Sequence, residues 1–280
     1  MGFKASPEQV AAFQKFSHRP GFSQEILSVD FTTTHEFIAS VIPPGFEPAD
    51  KPTGNISIST WESKLCGEFD CTMVSVACKW QGKPGKYILT LLVSGDMPVT
   101  WGREVWGEIK KTGDSRLFRS GNRRFGYGER RGVRLVELDA VFGEDLEPTV
   151  DKTLGFEVKA YPHSTGQGLQ WEPRVITLSI IDHNTSRAVG TGTLKLRGSI
   201  ADPLHTIPIL SISDFSYVSG LGDYTVIDDS PLGCKDDFLP YLVGRHYDDL
   251  REYHIGSSFE IAAEDKIEQL DIPAQVFHSG

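Results

Sequence analysis

Long apolar runs are missing from this 280-residue chain. None of them approaches the roughly 20 residues needed to span a bilayer. The opening Met1-Gly2-Phe3-Lys4-Ala5-Ser6-Pro7 has no apolar signal region, so the sequence predicts a protein that is not secreted. Met1-Gly2 with Ser6 fits a myristoylation pattern formally, but no polybasic stretch follows to hold a membrane. Cysteine is sparse: Cys66, Cys71, Cys78 and Cys234 show no Cys-x-x-Cys spacing, which disfavours a zinc site and a disulfide framework. Reduced thiols in the cytoplasm are the expectation. The eight histidines form neither His-x-His nor His-Glu-x-x-His, so no metal or cofactor is expected. No Gly-x-Ser-x-Gly elbow is present, and Gly190-Thr191-Gly192 lacks the strand–helix setting of a dinucleotide site. Positive charge is short as well. A net charge of −10 argues against nucleic acid or an anionic membrane as partner.

What is present reads as strand. An N-terminal helix is expected from Ser6-Pro7-Glu8-Gln9, a cap followed by proline at the first helical position, with Val10, Phe13 and Phe16 on one face. A second short helix is expected over 34–41, with Thr33 and Glu36 as its capping box and Pro43-Pro44-Gly45 as its stop. After it come β-branched or alternating runs at 87–93, 133–142, 154–161, 174–181, 188–197, 207–218 and 224–227, separated by turn residues. Asp182-His183 reads as a strand-end turn. A last helix is expected over 241–253, with Leu242, His246, Asp249 and Tyr253 at helical spacing. Many strands with few helices between them point to an antiparallel barrel or sandwich. Without a low-complexity linker or internal repeat, residues 1–280 read as one domain.

The most informative stretch is Trp101-Gly102-Arg103-Glu104-Val105-Trp106-Gly107-Glu108-Ile109-Lys110-Lys111. Two adjacent lysines after an apolar strand are either a solvated turn or an activated amine. A lysine that is both buried and beside a second ammonium loses its proton more readily, and a neutral amine attacks a ketone to give an imine. Gly102-Arg103-Glu104, Gly107 and Lys110-Lys111 resemble the Gly-Arg-Glu…Pro-Lys-Lys signature of the acetoacetate decarboxylases, the standing example of a lysine activated by a neighbouring cation. Val41-Ile42-Pro43-Pro44-Gly45-Phe46-Glu47, Gly82 to Tyr87 and Gly192 to Leu210 extend the resemblance over most of the chain.

The resemblance implies a mainly β (α+β) fold, a cone-shaped antiparallel β-barrel with peripheral helices, and a homo-oligomer. It implies a Schiff-base lyase in which Lys110 forms the imine with a β-keto or oxo acid and Lys111 is the neighbouring cation. The family's arginine falls at Gln24, and its two glutamates fall at Ile56 and Cys71. Ile109 and Glu108 replace the usual proline and apolar residue before the lysines. Simple acetoacetate is therefore not the expected substrate; a larger keto acid of specialised metabolism is. Glu108, two residues from Lys110, shares its face on an extended strand and would raise the lysine pKa. The expected substrate contacts are Gln24, Cys71, Asp70, Arg103 and Trp106, with Glu108 or Asp70 as acid–base groups. An aldolase, dehydratase or cyclase acting through an enamine without loss of carbon dioxide stays open, as does a non-catalytic cavity for an apolar ligand. Arginines 116, 119, 123, 124, 130, 131 and 134 form either a solvated loop or an anion trap.

Overall fold

Side chains alternate across a strand with a period of two, and in this chain the polar and apolar sets alternate with it. In β1 (Phe22–Thr32), Phe22, Gln24, Ile26, Ser28 and Asp30 face one way and line a cavity, while Leu27, Val29 and Phe31 face the other way into a fully buried core. β3 (Thr53–Ser63) repeats this, with Asn55, Ser57, Ser59 and Trp61 inward and Ile56 and Ile58 outward. The result is a barrel whose interior is partly polar and whose hydrophobic core lies on its outer surface.

The computed structural model describes residues 3–248 and 274–279. The remaining strands are β2 (Phe46–Pro48), β4 (Gly67–Trp80), β5 (Lys83–Val93), β6 (Lys110–Thr112), β7 (Asp114–Ser120), β8 (Arg123–Arg130), β9 (Val133–Leu146), β10 (Thr149–Lys159), β11 (Arg174–Leu196), β12 (Ser211–Pro231) and β13 (Gln275–His278). Seven of them close a barrel in the order β10-β5-β4-β3-β1-β12-β11, with β10 pairing back onto β11. All these joints are antiparallel except β10–β5, so the barrel is mixed rather than purely antiparallel. β11 continues past the barrel to pair with β9, and β9, β8 and β7 form an outer layer. Leu135 and Leu138 of that layer pack with Leu27, Ile58 and Phe215 of the barrel wall.

Helix α1 (Pro7–His18) has the expected capping box between Ser6 and Gln9, although Val10 and Phe13 stay exposed. Helix α2 (His35–Val41) starts one residue later than expected. Thr34, not Thr33, is its cap and accepts from the Phe37 amide. Ile38 of α2 joins Tyr87, Phe156 and Phe238 in a second core cluster. Two other expectations change. The runs at 174–181 and 188–197 are one continuous strand, so Asp182-His183 lies mid-strand rather than in a turn. A bulge between Asn184 and Ser186 bends that strand from the barrel into the outer layer without ending it. The runs at 207–218 and 224–227 likewise merge into β12, which begins at Ser211. Helix α4 (Leu239–His246) covers the first part of the expected last helix, and positions 249–253 lie outside the described residues.

The arginine-rich segment is the β7–β8 hairpin and its connection to β9. Its side chains meet protein carboxylates: Arg116 with Asp70, Arg119 with Glu25, Arg123 with Asp139, Arg130 with Asp202, Arg131 with Asp248 and Arg134 with Glu129. Arg124 stacks over the Tyr217 ring. These arginines hold the outer layer rather than trap an anion. Among the described residues no helix is long and apolar enough to cross a membrane.

Phe215 is fully buried between barrel and outer layer. Truncation to alanine leaves a cavity there, and Phe215→Ala is expected to cost about 3–5 kcal/mol of stability. Urea denaturation checks this as a lower midpoint with an unchanged slope.

Candidate active site

The segment before the double lysine is not a simple turn. Helix α3 (Asp96–Trp101) runs into one π-helical turn over Gly102–Trp106, a rare form that concentrates at functional sites. Gly107 ends it in the left-handed region at φ 79°, and a Cβ there would lie 2.3 Å from the Lys159 Cα. Both the backbone angle and the close approach of β10 require glycine. The Gly102 carbonyl accepts from the Glu108 amide at 3.1 Å, which closes the loop. From β10, Lys159 Nζ donates to the Val105 carbonyl at 3.1 Å, and just beyond it the Tyr161 hydroxyl donates to the Glu104 carbonyl at 2.7 Å. Short strand β6 follows, running parallel to β5 with Lys110 opposite Leu91.

Consecutive residues on β6 face opposite ways. Lys110 enters the barrel, where a cavity of about 420 Å³ is lined by Glu108, Glu157, Gln24, Asp182, Cys71, Trp106 and Tyr224 among others. Lys111 faces outward. Its Nζ lies 3.3 Å from Asp202 and 3.4 Å from Asp248, and both carboxylates also meet Arg130. This corrects the expectation that Lys111 is the cation acting on Lys110: two acids on the far side of the strand neutralise it.

Lys110 Nζ lies 2.8 Å from Glu108 Oε2, and both side chains are buried. Burial pushes the ammonium pKa down, but the Glu108 carboxylate outweighs it, and the net shift is upward. Lys110 is therefore charged at rest. Room for the pair comes from Gly102: a Cβ at that position would lie 2.1 Å from Glu108 Oε2 and 2.8 Å from Lys110 Nζ.

Glu157, on the cavity face of β10, was not expected from the sequence. It is 2% exposed, and its Oε2 has no hydrogen-bond partner. Desolvation, reinforced by the Glu108 charge, lifts its carboxyl well above the usual range and so favours the protonated form. One weak signal stood in the sequence: a lone acid between the apolar Phe156 and Val158 of a predicted strand. Along the wall, Gln24 Nε2 donates to Asp182 Oδ1 at 2.8 Å, and the Tyr224 hydroxyl reaches Gln24 Oε1 at 3.4 Å. Burial raises both Asp182 and Tyr224. One of the two N–H groups of the Gln24 amide is thereby committed to Asp182.

Among the other expected contacts, Cys71 and Trp106 line the cavity, and burial pushes the Cys71 thiol up to about 12, which makes it inert. Asp70 and Arg103 do not line it. Asp70 accepts from Thr60 and Arg116 on the outer side of β4, because it is one residue out of phase with Cys71. Arg103 points out of the π-turn to within 5.8 Å of the Tyr247 ring centroid.

Two variants test this arrangement. Gly102→Ala has to displace the Lys110–Glu108 pair, whose ends are flexible. It is expected to leave the fold intact by circular dichroism while abolishing modification of Lys110 by carbonyl reagents. Glu157 binds its proton more tightly folded than unfolded, so folding stability falls as pH rises from the ordinary glutamate range towards the raised value. Glu157→Gln lacks that loss. Its thermal midpoint relative to the parent is expected to rise as pH increases above the ordinary glutamate range of about 4–5; a flat difference across a melting series would show that the Glu157 carboxyl is not raised in the folded state.

Comparison with known proteins agrees with this fold. Residues 1–228 match the family described as acetoacetate decarboxylase (ADC). An acetoacetate decarboxylase of Ralstonia nicotianae is 23% identical over 239 residues, which cover 79% of this chain and 88% of that protein. Acetoacetate decarboxylase 3 of Mesorhizobium japonicum is 28% identical over 101 residues, 36% of this chain, and the match spans only 39% of that protein. Among solved structures, acetoacetate decarboxylase from Legionella pneumophila superposes with a TM-score of 0.64 at 18% identity, covering 76% of this chain and 86% of that one. The enduracididine biosynthesis enzyme MppR, complexed with the condensation product of pyruvate and imidazole 4-carboxaldehyde, gives 0.63 at 18% identity, covering 76% and 89%. The matched span includes the barrel, the π-turn and the double lysine, and the chain belongs to the acetoacetate decarboxylase family.

Proposed function

We propose that the barrel cavity is the active site of a Schiff-base-forming lyase that takes an oxo acid onto Lys110. The observation that carries this reading is the buried Lys110 amine, held 2.8 Å from a carboxylate inside the barrel cavity. The amine is protonated at rest, so activation runs through its partner. Glu108 is within reach to take the ammonium proton. The neutral amine then attacks the carbonyl carbon, and Glu108 returns the proton to the departing hydroxyl as water leaves. The resulting iminium draws in the electron pair of the adjacent carbon–carbon bond. An enamine remains, and its carbon takes a proton from Glu157, a carboxylic acid kept neutral by its surroundings. Water hydrolyses the product imine and restores Lys110.

The bond that breaks decides between two versions. Loss of carbon dioxide from a large β-keto acid is the first. The second is an aldol, retro-aldol or dehydration step through the same enamine. It is favoured by the absence of arginine among the described residues lining the cavity and by the likeness in fold to MppR, a protein captured with pyruvate and with an aldehyde condensation product.

Borohydride reduction in the presence of pyruvate and of a panel of β-keto acids, read by peptide mass mapping, is expected to label Lys110. Lys110→Ala removes the label. Glu157→Gln keeps the label but lowers turnover by about 10²–10⁴-fold, because the imine still forms and only the proton donor is gone. No label on any lysine alongside real turnover would overturn the imine reading. Carbon dioxide release measured on the same panel separates the two versions.

A further inference from the structure

The charge of the cavity does not suit a simple anionic substrate. Six carboxyl groups line it, those of Asp30, Glu108, Asp151, Glu157, Asp182 and Asp214, against two lysines, Lys86 and Lys110. Lys110 is already matched by Glu108. No arginine or histidine appears among the described residues of the lining. Of these groups Asp30, Asp151, Asp214 and Lys86 are exposed, and even without Glu157 the acids outnumber the bases. One of the two N–H groups of the Gln24 amide is committed to Asp182.

Two further observations point to a positive ligand. The first is an orphaned acceptor in the wall. Asn184 is 4% exposed and its Oδ1 has no partner, while its Nδ2 donates to Asp151 at 2.8 Å. The second is a cluster of aromatic rings on the lining. The Phe22 ring lies 5.6 Å from Trp61 and 5.3 Å from Tyr224, centroid to centroid, with interplanar angles near a right angle in both cases. Trp61 and Tyr224 are 5.8 Å apart. These rings touch one another edge to face, and a ring of this cluster that lines the cavity can take a cationic nitrogen on its face. The Lys110 ammonium already lies 5.8 Å from the Phe69 centroid in this wall.

We propose that the substrate is an oxo compound carrying a cationic nitrogen, an ammonium or guanidinium remote from the carbonyl, seated between the aromatic rings and the Asp182–Asn184 wall. The need for a carbonyl rests on the imine reading above. The need for a positive charge rests on the cavity itself, so the two are tested separately. Trp61 and Trp106 line the cavity and report binding by their fluorescence without any chemistry. At neutral pH the full-length protein is titrated with pentyltrimethylammonium and with hexanoate, neither of which forms an imine.

The ammonium is expected to bind at least about tenfold more tightly than the carboxylate, as aromatic and carboxylate contacts together would give. Asp182→Asn should narrow that ratio. Asp151→Asn serves the same purpose if the first variant fails to fold. Equal binding, tighter hexanoate, no binding of the ammonium, or a ratio unchanged in both variants overturns the proposal. A parallel borohydride arm compares (4-oxopentyl)trimethylammonium with 4-oxopentanoate. Failure to trap either ketone, with the ammonium preference intact, sinks the imine reading and leaves the charge selection standing. Trapping that favours 4-oxopentanoate does the reverse.

Discussion

Two lysines in a row on a strand cannot point the same way, and the organisation of this protein around its cavity follows from that constraint. The period of two on β6 sends Lys110 into the barrel and Lys111 to the far side. Each ammonium is buried and needs its own counter-charge, because an unpaired buried charge costs several kcal/mol. Glu108 meets the first, and Asp202 and Asp248 meet the second. The second set also recruits Arg130, which ties the outer layer to the strand that carries Lys110. Lys111 is thus a structural anchor for β6, and the charge state of Lys110 depends on the acid beside it rather than on a neighbouring ammonium.

Those acids differ in role because they differ in setting. Glu108 is in direct contact with the amine and is matched by it. Glu157 faces the same space without a partner, and desolvation and the Glu108 charge push it towards its neutral form. In the proposed mechanism the contact of Glu108 with the amine makes it the base and the raised Glu157 the acid. The inert Cys71 thiol and the Gln24–Asp182 hydrogen bond complete a wall that is polar yet short of fixed positive charge.

The glycines of the signature are explained by space rather than chemistry. Gly102 leaves the volume through which Glu108 and Lys110 reach each other, and Gly107 allows β10 to pass against the loop in a left-handed turn. β10 brings Glu157 to the same place, so the close approach that demands glycine at 107 also delivers the acid. Arg103 and Glu104, the remaining signature residues, contribute backbone carbonyls to Tyr161 instead of a charge in the cavity.

The sequence by itself determined a strand-rich fold, the first helix and its capping box, and the segment on which the amine sits. It also determined that Glu108 and Lys110 meet, since positions two apart on an extended segment share a face. Those features are local: periodicity, caps and short spacing act within a few residues of chain. Only the tertiary structure decided that Glu157 joins the pair, that Asp182 and Tyr224 stand beside Gln24, and that Asp70 is turned outward. These depend on barrel closure and strand register, which bring β10, β11 and β12 against β1 and β6 from more than a hundred residues apart for the most distant pairs. The joining of two predicted strands into the single β11 was hidden for a related reason. A bulge at Asn184 and Ser186 interrupts the alternation without ending the ladder, and only the partner strands show that it continues.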